Sequence, residues 1–327
     1  MARGSGSAIT GCAHGGDVVE IRPFRFGVEA AGARTAAGWR DMARAVEDLG
    51  YRTLLVIDHL GDQLAPIPAM LAAADATTTL RVGSHVLANE FRHPALLAKE
   101  AATVDLLTGG RLEVGIGAGW NHDEHARLGI GLPDPPTRVA RLAEAIAVIK
   151  GLLGNEWFDF SGDHYSCERM PGLPRPVQQP RPPLMVGGGG RAVLSLAARE
   201  ADIVSLNPNL ASGRSDASAA GTMTASATAT KVDWIRAAAG ARFEALELSV
   251  RVYYTVVAGD AWGTAADLAP LTGLLPKEAL RSPHLLLGDT SRLVDAIQEH
   301  RERYGISYFV VTSDAYEAFA QVVSRLG

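Results

Sequence analysis

Asp58 and His59 stand side by side directly after the apolar run Thr53 to Ile57. Histidine is the side chain whose charge changes closest to neutral pH, so it is the commonest proton carrier, and an adjacent carboxylate can orient it or repolarise a ring held beside it. The same two residues could instead cap a turn and pack beneath a loop. His85 ends another apolar stretch, in Gly83-Ser84-His85-Val86-Leu87, and Asn89, Phe91, His93 and Pro94 follow. Pro94 suits the first position of a helix, where its missing N–H costs nothing, which makes His93 a cap neighbour rather than a catalyst. The Asn89 amide, with two donors and an acceptor, suits either a loop backbone or the polar edge of a flat ring.

Two glycine patterns point to a ligand. Between Leu112 and Trp120 the residues Gly115, Gly117 and Gly119 alternate with others, which lets a flat molecule approach the backbone around Ala118, Gly119 and Trp120. Tight strand packing is the competing explanation. The spacing is not the dinucleotide fingerprint G-x-G-x-x-G, because its third glycine comes too early. The strongest local signal is Leu184-Met185-Val186, then Gly187, Gly188, Gly189 and Gly190, then a helical pattern opening at Arg191. Glycines between a strand and a helix free several N–H groups and align them with the positive end of the helix dipole. That makes a phosphate seat, to which Arg191 adds a charge.

Other chemistries fit less well. Asn121-His122-Asp123-Glu124-His125 concentrates metal-ligand types. The chain nevertheless lacks the His-x-His pair that barrel metallohydrolases draw from their first strand. No metal is expected, and His122 and His125 are assigned to the start of a surface helix. G-x-S-x-G is missing as well, which removes the serine hydrolases that use it.

The elements that must position these residues follow from composition and periodicity. With 327 residues, 47% apolar and 20% charged, the chain can bury a large core. Apolar stretches such as Leu54 to Ile57 are far shorter than the roughly 18 to 20 residues needed to cross a bilayer, so no membrane span is expected. A net charge of -5 without a basic block leaves no footprint for nucleic acid, and a small molecule is the expected partner. Residues 1–21 have no apolar signal core and read as a disordered tail, and Cys12 and Cys167 cannot build a disulfide framework. A cytoplasmic location fits both facts.

Eight runs rich in Val, Ile and Leu read as parallel strands buried on both faces: Phe24 to Val28, Thr53 to Ile57, Leu80 to Leu87, Leu112 to Ile116, Leu184 to Val186, Ile203 to Leu206, Leu248 to Val257 and Ser307 to Thr312. Helical periodicity fills Thr35 to Leu49, Pro94 to Leu107, Thr137 to Leu153, Arg191 to Glu200, Lys231 to Ala245 and Ser291 to Tyr304. The alternation predicts an α/β fold, a (β/α)8 TIM barrel with insertions occupying 22–327 as one domain. Asn155 to Pro183 reads as a hairpin followed by a proline-rich strap. Ala211 to Thr230 is a Ser, Ala and Thr rich lid candidate, and Ala261 to Pro283 holds room for an extra helix.

Several longer segments carry a family resemblance: Ile57-Asp58-His59-Leu60; Phe91 to Asp105; Thr108-Gly109-Gly110-Arg111-Leu112 running into Gly115 to Trp120; Pro183 to Gly189; and Arg303 to Tyr308. In these the chain resembles the bacterial luciferase-like barrel oxidoreductases, and it is most similar to the branch that uses the deazaflavin coenzyme F420. The resemblance implies that Asp58 and His59 lie beside the deazaflavin ring, with His59 in catalysis. It also implies a non-prolyl cis peptide at His85-Val86 propping the ring, a phosphate on Gly187 to Gly190, and a homodimer. The implied reaction is hydride transfer between F420 and a small organic substrate. An FMN-dependent monooxygenase of the same fold and a barrel that binds flavin or deazaflavin without turnover are the alternatives. Trp120 stands where the sugar-phosphate dehydrogenases of this branch carry an acid, and Gln63 where they carry a tryptophan, which argues for a flatter, less charged substrate.

Overall fold

The computed structural model describes residues 22–214 and 217–327, so the tail over 1–21, with Cys12, and two residues of the lid candidate lie outside the described residues. In chain order the elements are β1 (Arg25–Ala30), α1 (Ala36–Asp48), β2 (Thr53–Val56), α2 (Pro66–Asp75), β3 (Arg81–Ser84), β4 (Leu87–Ala88), α3 (Pro94–Leu107), β5 (Leu112–Gly117), α4 (His122–Leu128), α5 (Pro135–Gly154), β6 (Trp157–Ser161), β7 (Ser166–Pro171), β8 (Leu184–Gly188), α6 (Arg191–Glu200), β9 (Ile203–Leu206), α7 (Ala217–Gly221), α8 (Ala225–Ala239), β10 (Glu247–Arg251), β11 (Tyr254–Val257), α9 (Ala261–Thr272), α10 (Pro276–Ala279), β12 (Leu285–Gly288), α11 (Thr290–Tyr304), β13 (Ile306–Thr312) and α12 (Tyr316–Leu326).

The main sheet runs β3-β2-β1-β13-β10-β9-β8-β5, and β3 pairs β5, which closes eight parallel strands into a barrel. Register is fixed at the seam by Val82 opposite Leu112 and across the chain ends by Arg25 opposite Tyr308. This is the (β/α)8 architecture expected. Strands such as Thr-Leu-Leu-Val in β2 are buried throughout because one face meets the helices and the other fills the lumen. Leu55, Met185, Ile203, Tyr308 and Val310 pack together in the lumen. Gly50, Gly109, Gly110 and Gly305 take positive φ just past helix ends, where a side chain would strain the backbone.

The boundaries needed four corrections. The run Leu248 to Val257 is two strands. β10 belongs to the barrel, while β11 leaves it to pair in parallel with β12, so one continuous strand-like run concealed a change of sheet. The run Leu80 to Leu87 breaks at His85-Val86, with only the short β4 beyond. Helix α8 begins at Ala225 rather than Lys231, capped by Thr224 Oγ1, which accepts the Ala227 amide at 3.2 Å, and residues 240–245 wind more tightly after it. Much of the lid candidate is therefore helix. Finally, α2 and α12 were not anticipated. The prolines Pro66 and Pro68 open α2 at positions that tolerate them. The hairpin β6–β7 and the extra helix α9 stand where expected.

Candidate active site at the carboxyl ends of the strands

A cavity of about 410 Å³ opens at the carboxyl ends of the barrel strands. Loops after parallel strands gather there, so side chains distant in sequence converge. The cavity is lined by Asp58, His59, His85, Val86, Ala118, Gly119, Trp120, Gly187 to Gly190 and Arg191. Asn89, also expected there, is not among them. It is buried off the cavity, its amide donating to Tyr165 Oη at 3.1 Å, so it fixes the β6–β7 hairpin and does not face a ligand.

His59 is half-buried, and its Nδ1 lies 2.9 Å from Glu124 Oε2. An ionised carboxylate can only accept, so Nδ1 carries the proton and Nε2 is the nitrogen available to a ligand. Trp120 meets the His59 ring edge-on with centroids 5.6 Å apart. Asn121 positions the acid: its Oδ1 accepts the amides of Asp123 and Glu124 at 3.2 and 3.3 Å and starts α4. Glu124 thus orients the His59 ring. The Asp58 carboxylate is instead gripped by the Arg92 fork at 2.6 and 3.1 Å and by the Ala88 amide at 3.0 Å. Asp58 thereby braces the turn that follows His85.

The His85-Val86 peptide is cis, as the resemblance implied. Val86 projects over three glycines. A Cβ at Gly117 would lie 2.8 Å from Val86 Cγ2, and one at Gly187 3.2 Å from Cγ1, while one at Gly115 would come within 1.8 Å of the Ser84 carbonyl oxygen. Gly115 and Gly117 of β5 therefore serve close packing against residues 84–86, Gly119 takes a positive φ beside His125, and Gly117 and Gly119 border the cavity. Below, His85 Nδ1 donates to Glu29 Oε2 at 2.7 Å and Nε2 meets Ser205 Oγ at 2.8 Å. Glu29 also pairs with Arg251. Burial alone would raise the Glu29 carboxyl, but Arg251 and the His85 hydrogen bond outweigh it and hold it below the usual carboxylate range.

Gly190 caps α6 without a side-chain partner, so the first-turn N–H groups are left for a ligand. Gly189 permits the close approach of β8 to the next loop, since a Cβ there would be 2.2 Å from the Pro208 carbonyl oxygen. That loop is pinned from behind by Lys231, whose Nζ donates to the carbonyls of Asn207 at 2.6 Å and Thr222 at 2.8 Å, and burial pulls its ammonium down to about 7.

Sequence reasoning missed Glu124, His125, Arg138, Arg251 and Tyr253, all of which line the cavity. His125 was assigned to a surface, yet it is 1% exposed. The asparagine cap before a short helix was the available signal for Glu124. Among the described residues, no group of three or more His, Cys, Asp or Glu side chains is arranged to hold a metal ion.

A family model described as luciferase-like monooxygenase matches residues 21–261. The chain belongs to the luciferase-like monooxygenase family. Within this luciferase-like family, it is 33% identical over 192 residues to an FMNH2-dependent dimethylsulfone monooxygenase of Pseudomonas putida, covering 59% of this chain and 47% of that protein. It is 31% identical over 189 residues to an F420-dependent glucose-6-phosphate dehydrogenase of Nakamurella multipartita (strain ATCC 700099 / DSM 44233 / CIP 104796 / JCM 9543 / NBRC 105858 / Y-104), covering 55% of each. The matched region thus spans about half the length of these curated relatives. Solved structures share the luciferase-like fold at low identity. An F420-dependent secondary alcohol dehydrogenase in complex with an F420-acetone adduct superposes with a TM-score of 0.74 at 17% identity, covering 94% of this chain and 98% of that one. The coenzyme F420-dependent tetrahydromethanopterin reductase of Methanopyrus kandleri gives 0.73 at 16% identity, covering 93% and 98%.

Proposed function

We propose that this chain is an oxidoreductase that uses coenzyme F420 to oxidise or reduce a small organic substrate in the cavity. One juxtaposition carries the reading: a glycine-lined, uncapped helix N-terminus and an acid-supported histidine border the same cavity, with an apolar platform between β5 and β8. When bound, the deazaflavin supplies or accepts the hydride. The N–H groups of Gly188 to Gly190 and Arg191 would hold its phosphate. Val86, wedged over Gly117 and Gly187, would support the ring. His59 would hold or release a proton at Nε2, with Glu124 stabilising the imidazolium. Trp120 would exclude water and favour a flat substrate rather than a sugar phosphate.

A second reading, an FMN-dependent monooxygenase, is favoured by the likeness to the Pseudomonas putida enzyme. Titrating the purified protein with each cofactor, oxidised and reduced, separates the two. Micromolar deazaflavin binding without oxygen consumption is expected; preferential FMN binding would overturn the F420 reading. His59→Asn should lower turnover about a hundredfold or more while leaving cofactor bound, and unchanged turnover would remove His59 from the mechanism.

A further inference from the structure

Three cavity-lining side chains keep a buried polar atom without a protein partner among the described residues: His125 Nε2, Arg138 Nε and Arg251 Nε. Arg251 is matched in charge by Glu29. Arg138 is not. It is 4% exposed, and its Nη1 donates to the Gly119 carbonyl at 2.8 Å, but it forms no ion pair among the described residues. Glu90, the acid whose charge it feels most, is paired with Arg141 at 3.1 Å. Glu90 is thus shared between two arginines, and Asp134, the other acid near Arg138, is exposed and caps α5 on the Thr137 amide, so no buried acid belongs to Arg138 alone.

His125 borders the same point. A Cβ on Gly119 would lie 3.6 Å from His125 Nε2 and 3.7 Å from Glu90 Cγ, so Arg138, His125 and the Arg141-paired Glu90 surround one glycine. His125 Nδ1 donates to the Asn121 carbonyl at 2.7 Å, which leaves Nε2 uncommitted. Around them the wall is apolar: Phe91 lies against His125 with ring centroids 5.1 Å apart, and Pro135, Pro136 and Val139 continue it. A buried charge is costly unless an opposite charge joins it, so such a wall is complementary to an anion on an apolar body.

We propose that Arg138 and His125 form a second anion seat, separate from the glycine seat at α6, which receives an acidic group of the substrate. This deepens the oxidoreductase reading by naming a substrate class: small organic acids, carboxylates or sulfonates, carrying a flat or apolar body. The planar guanidinium suits either oxyanion.

The test is calorimetric titration of the cofactor-free protein with inorganic sulfate at low ionic strength, comparing wild type with Arg138→Gln, Arg138→Lys and Arg191→Gln. Wild type should show two classes of site. R138Q should weaken one class by about tenfold or more, the scale of a charge-assisted hydrogen bond, while R138K retains it and R191Q weakens only the other. Two unchanged classes in R138Q, or a single wild-type class that only R191Q weakens, would overturn the proposal. Loss of both classes in R138Q and R138K alike, with a lowered melting temperature, would make Arg138 merely structural and overturn it too. FMN and riboflavin supply the second arm. R138Q should keep the wild-type preference between them, whereas loss of that preference would assign the seat to the cofactor's phosphate. Should neither ring bind at all, the oxidoreductase reading fails while the sulfate titration still reports on the seat.

Discussion

Glu113 at the amino end of the barrel and Glu29 near its carboxyl end are both buried acids held by an arginine, yet the two poles do opposite things. At the amino pole, Glu113 is held by Arg25 at 2.5 Å and Arg81 at 2.8 Å, and Arg25 reaches Glu247 at 2.6 Å, so two arginines answer two acids. Tyr308 seals this cluster from the lumen by bonding Thr53 Oγ1 and lying under the Arg25 guanidinium, 4.3 Å from its ring centroid. At the carboxyl pole, Glu29 is shared between Arg251 and His85, but Arg251, His85 and the unmatched Arg138 face a cavity. Charges that balance one another fix the packing of the barrel. Charges left over are available to a ligand.

The largest expected effect lies at the amino pole. Glu113→Ala removes the acid that Arg81 pairs with and one of the two that Arg25 pairs with, and should cost about 3 kcal/mol in denaturant unfolding, with cofactor affinity unchanged in the protein that still folds. A cofactor-affinity loss equal to the stability loss would erase the distinction between the poles. Next comes His59→Asn. Turnover should fall about a hundredfold or more, in line with lost proton transfer, while unfolding stability moves by no more than about 0.5 kcal/mol because the ring is half-exposed.

Acid should loosen the carboxyl pole. His284 stands behind Arg251, its Nδ1 donating to the Arg251 carbonyl at 2.8 Å, and burial, reinforced by Lys231, lowers it from 6.5 to about 3. The unfolded chain therefore takes up this proton first. Stability is full above pH 6.5 and is lost as pH falls toward 3, by about 1.4 kcal/mol per pH unit for this group. His284→Gln should flatten that slope by one proton in pH-dependent denaturation, and an unchanged slope would remove His284 from the acid response. The smallest effect belongs to Glu124→Gln, which keeps the contact with His59 but not the charge. A loss of about 1 kcal/mol, roughly fivefold in turnover, is expected, with the pH profile of turnover shifting and the melting temperature holding.

How much of this was readable in the chain follows from sequence distance. The glycine turn between β8 and α6, proposed to seat a phosphate, was legible because strand, glycines and helix start are contiguous from Leu184 to Arg191, so local backbone physics alone specifies the turn. His59 was legible from its place after β2. Its partner was not: Glu124 lies 65 residues away and reads locally as one acid in a polar helix. The ion pair of Asp58 was hidden for the same reason, since the Arg92 that grips its carboxylate is 34 residues on. The alternating glycines of β5 were read toward a ligand, but the atoms that need their space belong to Ser84 and Val86 on the neighbouring strand. Likewise the run from Leu248 to Val257 gave no sign that β11 would leave the barrel, because its residue types suit a strand in either sheet, although β10 ends up buried and β11 only half-buried.

By itself the sequence determined the alternation of strands and helices, and hence the barrel, its carboxyl-end rim, and the residues that rim would present directly after each strand. These depend on hydrophobic period, caps and glycine conformations, which act over a few residues. Tertiary structure alone decided which charges are spoken for. Whether Asp58, Glu124, Arg138 or Arg251 is free to meet a ligand depends on what closure of β3 against β5 and the docking of α4 and α5 bring within hydrogen-bond reach. No local pattern encodes an electrostatic balance struck between segments this far apart.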